Sequence, residues 1–155
     1  MRKTVALAAL VIGSVAVFQA YSHEAHAQMK PEVLVKQRMA GMTMMAKYFG
    51  PIGAMVQGKI PYNADVVARN ASYLELLVKL PWDGFQPSTE GVKDTRVKPE
   101  TYREMGKFKE RTETLQKAMT KLVAAAKARD QGAVKAAFGG VGKACKGCHD
   151  DYRKD

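Results

Sequence analysis

Apolar residues return every three or four positions in four stretches of this chain, and no stretch alternates convincingly as a strand. The first begins near Pro31, a residue suited to the first turn of a helix. It carries Leu34, Arg38, Met42, Met45, Phe49 and Ile52 along one stripe until Gly53 and Gly58 weaken it. The second follows Asn63, whose side chain suits a helix start, and repeats Val66, Tyr73, Leu77 and Leu80 up to Pro81. The third begins at Pro99 and sets Tyr102, Met105, Phe108, Leu115, Met119 and Leu122 on one face. After a break at Asp130-Gln131-Gly132, the fourth places Val134, Phe138, Val141, Cys145, Cys148, His149 and Tyr152 on its inner side. The pattern predicts an all-α fold, an antiparallel four-helix bundle around one core. The connection from Pro81 to Lys98 is long for a bundle and must pack against something. Its apolar anchors, Trp82 and Phe85, either plug the bundle end or touch a cofactor set among the helices.

The N-terminus follows a different rule. Met1-Arg2-Lys3 is a short basic start, Thr4 to Phe18 an apolar run, and Ala25-His26-Ala27 a cleavage site of the A-x-A kind. The apolar run is shorter than the roughly 18 residues of a spanning helix. The expectation is a secretory signal peptide over 1–27, no stable membrane insertion, and a domain over 28–155 exported to a bacterial periplasm. The chain carries 25 basic and 15 acidic side chains, a formal +10. Losing the leader removes Arg2, Lys3 and Glu24, which lowers that charge by one. A basic surface favours acidic partners. No basic-aromatic groove accompanies it, and export argues against nucleic acid as a partner.

The chemistry is concentrated in Cys145-Lys146-Gly147-Cys148-His149. C-x-x-C-H reads as covalent attachment of haem, the two thiols adding to the vinyl groups and the imidazole coordinating the iron. Cys145 and Cys148 are the only cysteines, so none remains for a structural disulfide or a Cys₄ zinc site. A thioredoxin-like motif would need a βαβ context that the pattern lacks. With His23 and His26 in the leader, His149 is the only histidine of the expected mature chain and the expected metal ligand. A second axial ligand, if present, must be methionine, lysine, water or an exogenous molecule. Only Asp150 to Asp155 follow the motif, so whatever covers the opposite haem face is expected from upstream, and the first helix is the expected source.

Several stretches carry a resemblance over nearly all of 28–155: Lys30-Pro31-Glu32, Lys47-Tyr48-Phe49-Gly50, Pro61-Tyr62-Asn63-Ala64, Leu80-Pro81-Trp82-Asp83-Gly84-Phe85, Ala136-Ala137-Phe138-Gly139, and the run from Cys145 to Arg153. The chain resembles the cytochrome c′ family, class II c-type cytochromes built as four-helix bundles with the haem near the C-terminus. The resemblance implies one haem c, joined through Cys145 and Cys148. It implies a five-coordinate, mostly high-spin iron held by His149, with Met42 closing the distal side. Low-spin relatives of the same fold use a helix-one methionine as a sixth ligand, so Met42 reads as a lid or as a ligand. Arg38 matches a family arginine that approaches a haem propionate; its plain alternative is a solvated surface arginine. Arg153 matches one near the proximal face; its alternative is a cation at the helix C-terminus. Trp82 and Phe108 join these residues as the expected haem lining.

The function implied is binding of nitric oxide or a similar small gas, with a capacity for electron transfer to a redox partner. A low-spin electron carrier with His149/Met42 ligation is the alternative. An enzyme is not expected, since no distal histidine or acid–base pair is available for proton work. The resemblance also implies a homodimer through the outer faces of helices one and two, where Met44, Tyr48 and Val67 are expected outside the core stripe.

Overall fold

The computed structural model describes residues 29–154. Four long helices account for most of them: α1 (Pro31–Val56), α2 (Ala64–Leu77), α4 (Met105–Lys127) and α5 (Gln131–Tyr152). A one-turn helix, α3 (Glu100–Arg103), precedes α4, and two 3₁₀ turns, Pro81–Gly84 and Pro87–Thr89, lie in the long connection. Each long helix touches two others, α1 on α2, α2 on α4, α4 on α5 and α5 on α1, which closes an antiparallel four-helix bundle. The expected leader lies outside the described residues.

The ends of the helices follow from local chemistry. Pro31 opens α1, needing no N–H there, and Asn63 caps α2 by accepting from the amides of Asp65 and Val66 at 3.0 Å. Asp130 does the same for α5, accepting from Ala133 at 2.9 Å. Gly53 does not end α1: the helix runs through Pro51 to Val56, and Gly53 makes room for the ring of Phe138. Gly58 ends it instead. Its φ of 70° lets the Lys59 amide turn back to Ala54 O at 2.9 Å, satisfying a carbonyl of the last turn.

Burial along α1, α4 and α5 largely matches the expected stripes, with Ile52, Leu122, Val134 and Val141 fully enclosed. Two departures stand out. On α2 the enclosed residues are Val67, Asn70, Ala71 and Leu74, while Tyr73 and Leu80 are exposed. The helix buries a face that includes a polar and a small residue, so its larger apolar side chains mislead the count. Asn70 reaches across to Tyr48 O at 3.3 Å, and Tyr73 packs edge-on to Tyr48. Val67, expected on the outside, is 1% exposed and cannot line a dimer face.

The second departure is at Glu104, where φ −116° and ψ 40° interrupt the helix expected to run from Pro99. The break separates Tyr102, which hydrogen bonds to groups of α1 and the connection, from Phe108, which packs among other aromatics. One continuous helix would have to aim both with a fixed rotation between them.

Candidate haem site

The N-terminal half of α1, the long connection, the start of α4 and the end of α5 meet at one end of the bundle. Gly84 allows the closest approach: a Cβ there would stand 2.7 Å from Arg38 Cβ and 2.8 Å from Leu34 O. Trp82, Phe85 and Phe108 form an aromatic cluster, with Phe85 and Phe108 centroids 4.7 Å apart. Phe108 meets Tyr152, on the C-x-x-C-H helix, edge-on at 5.3 Å. Trp82 Nε1 donates to Val78 O at 2.6 Å, which satisfies its one polar atom. Trp82 and Phe85 thus plug the bundle end.

Arg38 lies within this plug at 2% exposure. Its Nη1 donates to Gly84 O (2.7 Å), Thr89 Oγ1 (3.1 Å) and Tyr102 Oη (3.0 Å), and its Nη2 to Thr95 Oγ1 (3.0 Å). The guanidinium also sits 4.6 Å from the Phe85 ring centroid. The reading of Arg38 as a solvated surface arginine is therefore wrong. Every acceptor is neutral, and among the described residues no carboxylate forms an ion pair with it. A buried cation without a counter-charge is costly, so this pocket suits an anionic group such as a haem propionate. Met42, one turn along the same stripe, is half-buried; beside it, Gly41 lies close against Pro81.

Cys145 and Cys148 are half-buried free thiols on the last turns of α5, Cys145 packed against the main core. Burial pushes the Cys145 thiol up. Burial, with added repulsion from Cys145 and Asp151, pushes Cys148 to about 11 against the pull of Arg111. Both are therefore protonated at neutral pH. Arg111, from α4, binds the Asp151 carboxylate at 2.8 Å and passes near Gly147.

His149 is exposed, not inward-facing as its stripe predicted. Successive helical residues are about 100° apart, so Cys148 and His149 diverge to either side of the Cys145 direction. Its ring is still partly shielded. That shielding first, then the guanidiniums of Arg153 and Arg96, lowers the imidazole pKa against the opposing pull of Asp150. The result favours the neutral form, which is the form that binds metal.

Arg153 is half-buried and no longer helical. It is the extended cap of α5, and its amide donates to His149 O at 3.0 Å. Val97 bridges to it, Lys98 N donates to Tyr152 O at 2.9 Å, and Lys154 N donates to Arg96 O at 2.7 Å. This strap, together with Thr89 and Thr95 around Arg38, was invisible to sequence reasoning. Isolated threonines and a lysine in a polar connection carry no periodic signal. Tyr102 did have one, as a member of the third stripe.

The donor set fits haem c: two thiols at the right spacing, an accessible imidazole favouring its neutral form, and a buried cation wanting an anion. A family model described as Cytochrome C' matches residues 33–153. Cytochrome c′ of Alcaligenes xylosoxydans xylosoxydans is 44% identical, aligning 81% of this chain with 96% of that protein. That of Rubrivivax gelatinosus is 38% identical over 81% of this chain and 97% of its own. The crystal structure of the Rubrivivax protein superposes with a TM-score of 0.79 at 38% identity, covering 81% of this chain and 98% of that one. The nitric oxide complex of a leucine-to-alanine mutant of Alcaligenes xylosoxidans cytochrome c prime gives 0.76 at 42% identity, covering 82% and 98%. With sequence, fold and donor set in agreement, this chain belongs to the cytochrome c′ family and carries haem c covalently through Cys145 and Cys148.

Proposed function

We propose that this chain is a periplasmic cytochrome with one five-coordinate, high-spin haem that binds nitric oxide or a similar small gas and exchanges electrons without enzymatic turnover. The observation that carries the reading is the nitric oxide complex of the Alcaligenes relative, set beside a single imidazole among the described residues here. Bound haem c supplies an iron that takes up a diatomic gas and changes oxidation state.

This chain's residues supply the rest. Cys145 and Cys148 fix the group to α5, and His149 offers a nitrogen ligand on the solvent side. Arg38 presents a buried positive charge to a propionate, with its fork held by four neutral oxygens. Met42 covers the α1 side with a flexible apolar chain. Phe108 and Trp82 line the same end with aromatic surface. Arg153 places its charge beside His149 and favours the neutral imidazole. Residues 1–27 act as a cleaved export signal, in keeping with the basic start and A-x-A site. Two copies pair through the outer faces of α1 and α2, where Met39, Met44, Tyr73 and Leu76 are exposed. No helix among the described residues is long and apolar enough to cross a membrane.

Absorption spectra of the ferric and ferrous protein test this reading. High-spin bands, shifted on adding nitric oxide, are expected. A resting low-spin spectrum with a methionine-to-iron charge-transfer band would replace it with the His149/Met42 electron carrier.

A further inference from the structure

Two clefts flank the end of α5, and their charges differ. One, of about 620 Å³, is lined by Glu100, Glu104, Glu110 and Asp151 together with Lys107 and Arg111. Both of its cations are paired within it, Lys107 with Glu104 at 3.1 Å and Arg111 with Asp151 at 2.8 Å, and Glu100 and Glu110 leave it net acidic. The other, of about 770 Å³, is lined by Arg96, Lys98, His149, Asp150, Arg153 and Lys154. Its one carboxylate, Asp150, is held by Lys146 at 2.6 Å, and Lys98 Nζ is spent on Asp150 O at 2.8 Å. Among the described residues, Arg96, Arg153 and Lys154 form no ion pair.

We propose that this cationic cleft around His149 is the docking surface for an acidic redox protein. The inference rests on haem attachment at Cys145, Cys148 and His149. A surface-exposed ligand would then give a partner a through-protein contact to the iron, and the uncompensated cations line the same cleft. Such a field steers a carboxylate-rich face to that spot and raises its on-rate at low salt. No apolar side chain lines the cleft, so it offers nothing to insert into a lipid surface. Three unpaired cations share one open cleft, which suits an acidic face with several carboxylates better than one small anion.

The test uses the holoprotein and two double variants of equal charge change. R96E/K154E alters the cleft, while K117E/K121E alters exposed lysines elsewhere on α4. An unchanged absorption spectrum in each variant first establishes that the haem site is intact; because the Arg96 guanidinium acts on His149, a spectrum shifted by R96E/K154E passes the comparison to the single variants K154E and K117E, which leave Arg96 in place. Stopped-flow oxidation of the ferrous protein by hexacyanoferrate(III) and by tris(phenanthroline)cobalt(III), and reduction of the ferric protein by the hydroquinone of an acidic flavodoxin, are then followed against ionic strength, one electron moving in each step. In R96E/K154E the expected result is a roughly tenfold or greater loss of rate with the anionic and flavodoxin partners at low salt, together with a flattened salt dependence. The cationic cobalt complex should react faster, and K117E/K121E should change each rate less than threefold. Equal responses in the two variants would overturn the proposal, because net charge alone would explain them. Unchanged flavodoxin rates accompanied by loss of binding to phosphatidylglycerol vesicles would also overturn it, assigning the cleft to a membrane.

Discussion

Met42 and the two cysteines are the residues whose chemistry depends most on small differences in surroundings. Met42 is half-buried on the stripe that carries Arg38, where a thioether either fills space or coordinates iron. Met42→Ala should leave the resting spectrum high-spin and let carbon monoxide bind faster and tighter. It should cost roughly 2–5 kcal/mol of stability, less if the pocket hydrates or collapses. Conversion of a low-spin resting spectrum to high spin would show that Met42 was a ligand. Cys148 carries a second expectation. In protein prepared without haem, iodoacetamide should react at half its maximal rate near pH 11, the value to which burial raises this thiol. The sign follows from the folded pKa exceeding that of a free thiol near pH 9. The folded form resists ionisation, so the associated stability is full below pH 9 and is lost as the pH rises towards 11. Half-maximal alkylation near pH 9 would show that Cys148 is solvated.

At the scale of elements, the long connection is as much part of the site as the helices. Its first 3₁₀ turn lies against α1 only because residue 84 lacks a side chain; an added Cβ would meet backbone at Leu34 O and the stem of Arg38. Gly84→Ala should therefore push the turn away from α1, lengthen the 2.7 Å bond from Arg38 to Gly84 O, and cost about 1–3 kcal/mol. Thermal unfolding gives the cost. A variant as stable as the parent would mean that the turn yields without strain. Further along, the Thr95–Lys98 segment clasps the end of α5 through Tyr152 O and Asp150 O, two of the carbonyls that a helix end leaves open. The buried arginine and the haem-bearing helix therefore lean on one connection.

At the scale of the whole molecule, the bundle encloses its core among the four long helices and leaves Tyr73 and Leu76 of α2 exposed, with Leu80 just beyond it and Met39 and Met44 on α1. Single exposed apolar residues are ordinary, but five on neighbouring elements suit a self-complementary contact. Leu76, 64% exposed, is the sharpest probe. Sedimentation at micromolar concentration should show a dimer for the parent holoprotein and a monomer with an unchanged spectrum for Leu76→Glu. A monomeric parent would remove this pairing.

Periodicity along the chain determined the four long helices, most of their buried faces and the place of the haem motif, because these rest on contacts within a turn or two. Residue types did the same for the cofactor: two cysteines and a histidine at C-x-x-C-H spacing admit few other chemistries. Tertiary structure alone decided the environment of Arg38, whose acceptors lie 46, 51, 57 and 64 residues away in sequence. No local pattern encodes such a meeting. It also decided which face α2 buries, since Asn70 and Ala71 go inside while Tyr73 stays out. The break at Glu104 and the outward turn of His149 belong to the same class. Each depends on what the neighbouring helix presents, and burial is a property of the assembled bundle rather than of any one stretch of chain.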